Sequence, residues 1–191
     1  MITTTSSLKS YKTPLRYPGG KSRACKKMEP FIPDLRDYEV YYEPFLGGGS
    51  VALHITKKYP KLKIVVNDLY EPLYNFWLQL QVNGDYVHSE LQQLKSRFPD
   101  RGSARGLFED AKEKLYDLDI TDKDRAVCFY IINKCSFSGL TESSSFSAQA
   151  SDANFSMRGI DKLPVYSLSL IHISEPTRRR GISFAVFCLK K

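Results

Sequence analysis

No run of apolar residues in this sequence approaches the roughly 20 that a membrane-spanning helix needs. Histidine and cysteine are also scarce: there are three and four of them, and the cysteines show no paired spacing of the kind that zinc sites use. A metal site is therefore not expected, and the cysteines are predicted to be reduced, buried thiols. The polar, threonine-rich first seven residues contain no apolar secretory core, which predicts an intracellular protein.

What the sequence does contain is enough apolar material for a packed core. Its 191 residues are 42% hydrophobic and 13% aromatic, which is typical of one domain or of one domain with an inserted module. The formal net charge of +7 favours an acidic partner such as nucleic acid. However, five of the 28 basic residues and one of the 21 acidic residues lie in residues 168–191, and without that segment the net charge is +3. Charge alone therefore indicates little about the partner.

The most informative stretch is a strand followed by a glycine turn and a helix. Residues 40–42 are typical of a buried strand, three consecutive glycines allow a sharp turn, and Ser50 opens a helix whose N–H groups would face a ligand. This arrangement is typical of the nucleotide-binding corner of a Rossmann-like sheet, where an acidic residue about 20 positions later, after the next strand, binds the ribose. Residues 63–66 are the predicted next strand, and Asp68 lies 21 positions after Gly47. The alternative role for Asp68 is to cap the helix that follows.

A second motif lies near the N-terminus, where Tyr17 begins the run Tyr-Pro-Gly-Gly-Lys-Ser. Its ending suggests a phosphate-binding loop, but that loop needs a glycine at position 15, and Leu15 stands there. The simpler interpretation is a loop before an amphipathic helix over residues 21–32.

Together these segments resemble a known family. Glu-Pro-Phe-x-Gly-Gly-Gly-Ser-Val at residues 43–51 and Val-Asn-Asp at residues 66–68 are similar to motif I and the acidic loop of Dam-type adenine-specific DNA methyltransferases, and aromatic-x-Gly-Gly-Lys at residues 17–21 resembles their motif X. The resemblance implies S-adenosylmethionine as cofactor and an α/β, Rossmann-like methyltransferase core, incomplete here, with an inserted helical DNA-recognition module. Many relatives have tryptophan in place of Tyr17. The cofactor-binding residues that the resemblance implies are Tyr17, Gly19, Gly20, Lys21, Glu43, Pro44, Phe45, Gly47, Gly48, Gly49, Ser50 and Asp68.

Residues 8–75 are interpreted as the N-terminal part of that core, and residues 76–163 as the recognition module with a terminal hairpin. Within the module, helical spacing and polar caps predict a series of helices. They are expected over residues 85–97, 104–118 and 122–134, with Asn83 and Thr121 as caps.

Residues 133–156 lack helical periodicity, which predicts a helix end followed by a hairpin or an extended loop. The segment resembles the family's region that inserts a hairpin at the target duplex. That resemblance implies double-stranded DNA as the partner. It also implies candidate contacts to phosphates or base edges from Asn133, Lys134, Ser138 and Asn154. A flexible surface loop is the alternative interpretation.

The family's catalytic motif, Asp-Pro-Pro-Tyr, is absent from the sequence. In the family it follows the recognition module and holds the amino group of an adenine flipped out of the duplex. No catalytic residue is therefore predicted, and the 191-residue chain is expected to be inactive. Residues 168–191 resemble the conceptual translation of a sequencing adapter and are interpreted as a non-native tail.

The leading hypothesis is thus a DNA adenine methyltransferase that acts as a monomer in the cytoplasm of a bacterial or phage-infected cell, with or without a cognate restriction enzyme. Two alternatives stay open at this point. One is a non-catalytic fragment that binds DNA or cofactor, and the other is a nucleotide-dependent phosphotransferase that uses residues 19–22. Binding of S-adenosylmethionine or of ATP with magnesium distinguishes these hypotheses.

Overall fold

The fold is organised by a small sheet whose first two strands are parallel. The computed structural model describes residues 12–170 and 188–190. Strands β1 (Tyr38–Glu43) and β2 (Lys63–Val66) pair in parallel, and helix α2 (Ser50–Lys58) connects them. The predicted strand, glycine turn, helix and second strand are therefore confirmed. Strand β3 (Cys188–Lys190) pairs antiparallel with the other edge of β1, which gives the order β2-β1-β3.

Strands β1 and β2 contribute to the core because they are rich in β-branched and aromatic residues. In β2, Ile64 and Val66 are almost fully buried, and Tyr41 of β1 is buried beside them. Helix α2 covers the sheet with apolar residues that include Leu53 and Ile55. The parallel pair requires such a crossover, and the helix begins where the glycine turn ends.

Most of the remaining described chain is helical, and the mixed content confirms the predicted α/β class. Helix α6 (Asp122–Cys135) is buried on nearly all sides because it packs against helices that come before and after it. The helices besides α2 are α1 (Cys25–Met28), α3 (Glu71–Val82), α4 (Gly84–Arg97), α5 (Arg101–Lys114), α6 (Asp122–Cys135), α7 (Ala148–Asn154), α8 (Met157–Ile160) and α9 (Leu163–Leu170).

Side-chain caps explain where two of these helices begin. Thr121 accepts a hydrogen bond from the N–H of Asp124, as predicted for the start of α6. Helix α5 begins at Arg101, earlier than predicted, because Asp100 and Ser103 form a reciprocal capping box. Asn83 lies at the predicted N-cap position of α4, but its side chain makes no capping hydrogen bond, and its amide donates to Gln79 instead.

Two further expectations hold only in part. The predicted helix over residues 21–32 is reduced to α1 and a 3-10 turn (Glu29–Phe31). The expected hairpin or loop does follow α6, where Ser136 and Phe146 form an antiparallel bridge, but the segment then continues into helix α7. The proposed boundary between residues 75 and 76 lies inside α3, and the division into a core and a recognition module stays a prediction.

Two observations bear on the remaining expectations. Within the described residues, no helix is both long and apolar enough to cross a bilayer. The segment interpreted as a non-native tail, residues 168–191, lies mostly outside the described residues.

Candidate functional site

A cavity of about 400 Å³ lies where β1 ends and α2 begins. The structure brings most of the predicted cofactor residues to it, and these are Tyr17, Gly19, Gly20, Lys21, Glu43, Phe45, Gly47, Gly48, Ser50 and Asp68. Pro44 and Gly49 do not line it, whereas Pro18, Leu46 and Val51 do. Those three were missed because they carry no chemical signal of their own, although each adjoins a predicted residue.

The glycine turn is required by close packing on both of its sides. A Cβ atom on Gly48 would lie 2.9 Å from Cβ of Tyr17, and one on Gly49 would lie 2.6 Å from Cζ2 of Trp77. Gly49 also has a φ of +69°, in the left-handed region that favours glycine. The indole N–H of Trp77 donates to the carbonyl of Gly47 at 3.2 Å. Through this hydrogen bond, the buried Trp77 supports the cavity wall.

Asp68 lies directly across the turn from Gly47. One carboxylate oxygen accepts a hydrogen bond from the N–H of Gly47 at 2.8 Å, and the other accepts from the N–H of Tyr70 at 3.0 Å. The second bond holds the backbone just before α3, which is a structural role similar to the capping considered above. A carboxylate oxygen can accept two hydrogen bonds, and each oxygen of Asp68 accepts one here, so both can also accept a hydrogen bond from a ligand.

Glu43 places a buried carboxyl group in the wall of the cavity. The residue is 8% exposed, and its Oε2 has no hydrogen-bond partner within the described part of the chain. Burial raises the pKa of this carboxyl group to about 8, partly offset by a hydrogen bond from the N–H of Ala52 and reinforced by the charge of Asp68. A group that can donate a proton or receive a cation is therefore held beside the turn.

The N-terminal loop closes the cavity from the other side. The hydroxyl groups of Ser22 and Ser50 lie 2.8 Å apart, which joins this loop to the first turn of α2. Lys21 is exposed, and Tyr17 is 43% exposed with its ring against the glycine turn. Partial burial, followed by the charges of Asp68 and Glu142, raises the pKa of the Tyr17 hydroxyl, so it stays neutral.

A second cavity of about 290 Å³ adjoins the first, and Tyr17 and Pro18 line both. Its other walls come from α3, from α6 and from the loop that follows α6. They consist of Tyr70, Leu73, Phe129, Asn133, Gly139, Leu140, Thr141, Glu142 and Ser143.

The predicted DNA contacts of Asn133 and Lys134 are corrected by their burial. Asn133 is 1% exposed and Lys134 is 9% exposed. The Lys134 ammonium donates to the carbonyl of Pro14 and lies 5.1 Å from the centre of the Tyr130 ring. Its pKa is lowered to about 8, chiefly by burial and then by the charge of Arg16. Neither side chain is presented to a ligand as large as a duplex.

The other two candidate DNA contacts lie nearer the surface. Ser138 is exposed, with a φ of +54°, in a 3-10 turn (Phe137–Gly139). Asn154 is half-buried at the end of α7, where its amide donates to the carbonyl of Ala150 at 2.8 Å. Among the described residues, no cluster of histidine, cysteine and acidic side chains could hold a metal ion.

Two comparisons with known proteins are consistent with this arrangement. The profile of the family described as D12 class N6 adenine-specific DNA methyltransferase matches residues 17–162. The chain is also 27% identical over 139 residues to Type II methyltransferase M.MjaIII of Methanocaldococcus jannaschii. That alignment covers 66% of this chain and 46% of the relative, so the chain matches a little under half of the relative's length.

Proposed function

We propose, on the premise that this chain belongs to the D12 class N6 adenine-specific DNA methyltransferase family, that its first cavity binds S-adenosylmethionine for methylation of adenine in duplex DNA. The product would carry the methyl group on the exocyclic amino nitrogen of adenine. The proposal concerns the whole protein, of which these residues supply the cofactor cavity and the helices that follow it.

The unpartnered, buried carboxyl oxygen of Glu43 is the observation that carries the proposal. The methionine end of the cofactor has an ammonium group and a carboxylate, and a carboxylate–ammonium pair would satisfy that oxygen. Lys21, which lines the same cavity, is a suitable point charge for the methionine carboxylate. Asp68 keeps lone pairs for the ribose hydroxyl groups. The three groups therefore match three separate parts of one ligand.

The glycine turn and Tyr17 complete the fit. Because the backbone of residues 47–49 carries no side chains, a ligand can approach the first N–H groups of α2 closely. The Tyr17 ring lies against this turn, where it can contact a positively charged sulfonium through its π face. When bound, the cofactor supplies a methyl group on that sulfonium, and the residues described here bind and orient it. No residue of this chain is assigned to holding the adenine amino group, since the sequence contains no Asp-Pro-Pro-Tyr.

The duplex is proposed to contact the surface that includes Ser138 and Asn154, because these two of the four predicted contacts are accessible or partly so. We propose that the protein acts as a monomer.

The phosphotransferase alternative fits less well. Within the described residues no strand precedes the Gly-Gly-Lys-Ser segment, so it lacks the strand–loop–helix setting of a phosphate-binding loop. The carboxylate of Asp68 also lines the same cavity and would repel a polyphosphate.

The binding test uses Trp77, the single tryptophan of the sequence, as an internal fluorescence reporter of the glycine turn. We expect residues 1–191 to bind S-adenosylmethionine saturably and to show no saturable response to ATP with magnesium. Lys21→Met should weaken binding about tenfold or more, the scale of a lost charge-assisted hydrogen bond. Lys26→Met, which changes an exposed lysine of α1 outside the cavity, should leave it unchanged. Binding of ATP but not S-adenosylmethionine would overturn the proposal.

A further inference from the structure

Asn133 lies at a junction between two segments that are far apart in the sequence. Its carboxamide oxygen accepts a hydrogen bond from the N–H of Arg16 at 2.9 Å. Its amide nitrogen donates to the carbonyls of Arg16, at 2.7 Å, and of Gly139, at 3.0 Å. All three partners are backbone groups, so one buried side chain fixes the main chain of both segments.

The contacts around Asn133 leave little room for the two segments to move separately. The Arg16 guanidinium donates to the carbonyl of Ser136 at 2.6 Å. Gly139 has a φ of +75°, and a Cβ atom there would lie 2.5 Å from Cβ of Arg16 and 2.6 Å from its carbonyl oxygen. The buried ammonium of Lys134 holds the carbonyl of Pro14 in the same segment.

The junction joins the walls of the two cavities. Arg16 immediately precedes Tyr17, which lines both cavities, and Gly139 begins the part of the loop that lines the second one. A shift of Arg16 relative to Gly139 would therefore change the shape of both cavities together.

We propose that Asn133 is a positioning residue that couples the first cavity to the loop of residues 136–146, so that occupancy of one raises affinity at the other. The inference rests on the proposed function, in which the cavity takes S-adenosylmethionine and the loop faces duplex DNA. Breaking the junction would leave the buried amide of Asn133 and its backbone partners unsatisfied, which is costly, so the bonds should form and break as a unit. A ligand that orders one segment thereby reduces the conformational cost of ordering the other.

The test measures the affinity of residues 1–191 for S-adenosylmethionine with and without saturating unmethylated duplex DNA. For the unaltered chain we expect at least about fivefold tighter binding with DNA, the lower end of typical coupling between two sites. Asn133→Asp retains the size of the side chain and the acceptor for Arg16, but it removes both donors and faces two carbonyl oxygens with a charge. Its ratio of the two affinities should fall close to one.

A second variant alters the loop side of the junction. Gly139→Ala places a methyl group against the Arg16 backbone and should also bring the ratio close to one.

Two matched variants serve as controls. Asn75→Asp alters another buried asparagine, which donates to the carbonyl of Asp122 at 2.7 Å away from both cavities, and Gly106→Ala alters a helical glycine with open space around it. Both controls should retain the ratio even if their melting temperatures change.

The outcomes separate this inference from the proposed function. If S-adenosylmethionine fails to bind under either condition, the proposed function fails and the coupling fails with it. If it binds equally well with and without DNA, or if Asn133→Asp and Gly139→Ala retain the unaltered ratio, the coupling alone is wrong. Loss of the ratio in Asn75→Asp as well would reduce Asn133 to a general structural role and overturn the inference.

Discussion

Asp68 accepts a hydrogen bond from the backbone N–H of Gly47 at 2.8 Å, although 21 residues separate them. This bond joins the segments that follow β1 and β2, and it places a carboxylate beside the glycine turn. The spacing used to predict a ribose-binding residue therefore corresponds to a direct contact. The same carboxylate also accepts from Tyr70, so a structural role and a binding role are both compatible with its geometry.

Replacement of Asp68 by alanine separates those roles. Asp68→Ala should weaken S-adenosylmethionine binding by about 1.5–3 kcal/mol, the scale of hydrogen bonds to a charged group. It should also lower the melting temperature, because two backbone N–H groups lose their acceptor. Calorimetric titration and thermal unfolding measure the two effects. Asp100→Ala, which removes the cap of α5 outside the cavity, should lower only the melting temperature. Unchanged affinity in Asp68→Ala would leave Asp68 with the structural role alone.

Gly49→Ala should destabilise the fold far more than alanine at a glycine with open space around it. The added Cβ would meet the buried Trp77 indole at 2.6 Å, and the residue would have to keep a φ of +69°. Strain and overpacking together should reduce the free energy of unfolding by about 2–4 kcal/mol. Chemical denaturation followed by Trp77 fluorescence measures the change. Gly106→Ala is the matched control and should be neutral or stabilising by up to about 1 kcal/mol. Equal stability of the two variants would mean that the turn adapts.

Glu43 should give the fold a characteristic dependence on pH. Its pKa is raised from 4.5 to about 8, so between these values the folded state holds a proton that the unfolded state has released. The free energy of unfolding should therefore fall as pH rises through that window, and Glu43→Gln should reduce the fall. Denaturant unfolding at a series of pH values measures both slopes. Identical slopes in the two proteins would show that Glu43 is ionised in the folded state.

The same carboxyl group should lose its proton when S-adenosylmethionine binds. Near pH 7 Glu43 is mostly protonated, and pairing with the cofactor's ammonium group requires the carboxylate. Calorimetric titrations in buffers of different ionisation enthalpy should detect release of roughly one proton per cofactor, the proton that Glu43 holds at this pH. Glu43→Gln should release none. Equal release from both proteins would contradict the assignment of Glu43 to the ammonium group.

The sequence predicted those parts of the fold and of the site whose residues lie close together in the chain. The turn at Gly47, strand β2 and Asp68 follow one another within about 20 residues, and each residue type has its own reason to be there. Tyr17 and Lys21 came only from the family resemblance. Pattern alone could not show that their loop closes the same cavity.

The errors fall where distant partners decide the environment of a polar residue. Asn133 and Lys134 look like surface residues at a helix end. Their side chains are instead hydrogen-bonded to the backbone of Arg16 and Pro14, more than 100 positions earlier in the chain. Helix α7 was missed because its seven residues are alanines and polar residues without an apolar periodicity, and its packing against α5 and α6 is not visible in its own pattern.

Lys134 provides a test of that correction. Log affinity for DNA falls as log salt concentration rises, and each lysine that contacts a phosphate makes this fall steeper by about one unit. Removal of such a lysine makes the fall shallower by the same amount. Because Lys134 is buried, Lys134→Met should leave the salt slope of duplex binding unchanged. Its pKa is lowered from 10.5 to about 8, so stability should rise with pH across that window in the unaltered chain and rise less in the variant. A reduced salt slope in Lys134→Met would restore the predicted DNA contact.

The final prediction is that residues 1–191 bind cofactor but do not methylate DNA. Glu43, Lys21 and Asp68 define one side of a cofactor cavity, yet the sequence contains no Asp-Pro-Pro-Tyr to hold the adenine amino group in line with the methyl donor. Methyl transfer to a weak nucleophile depends on that alignment, and misplacement by about 1 Å alone can cost about 100-fold in rate. The measurement is transfer of labelled methyl groups from S-adenosylmethionine to unmethylated duplex DNA, beside an adenine methyltransferase that contains the motif. Saturable binding without transfer is expected. Transfer at a rate comparable to that of the reference enzyme would show that other residues of this chain position the base, and the role given to the absent motif would be wrong.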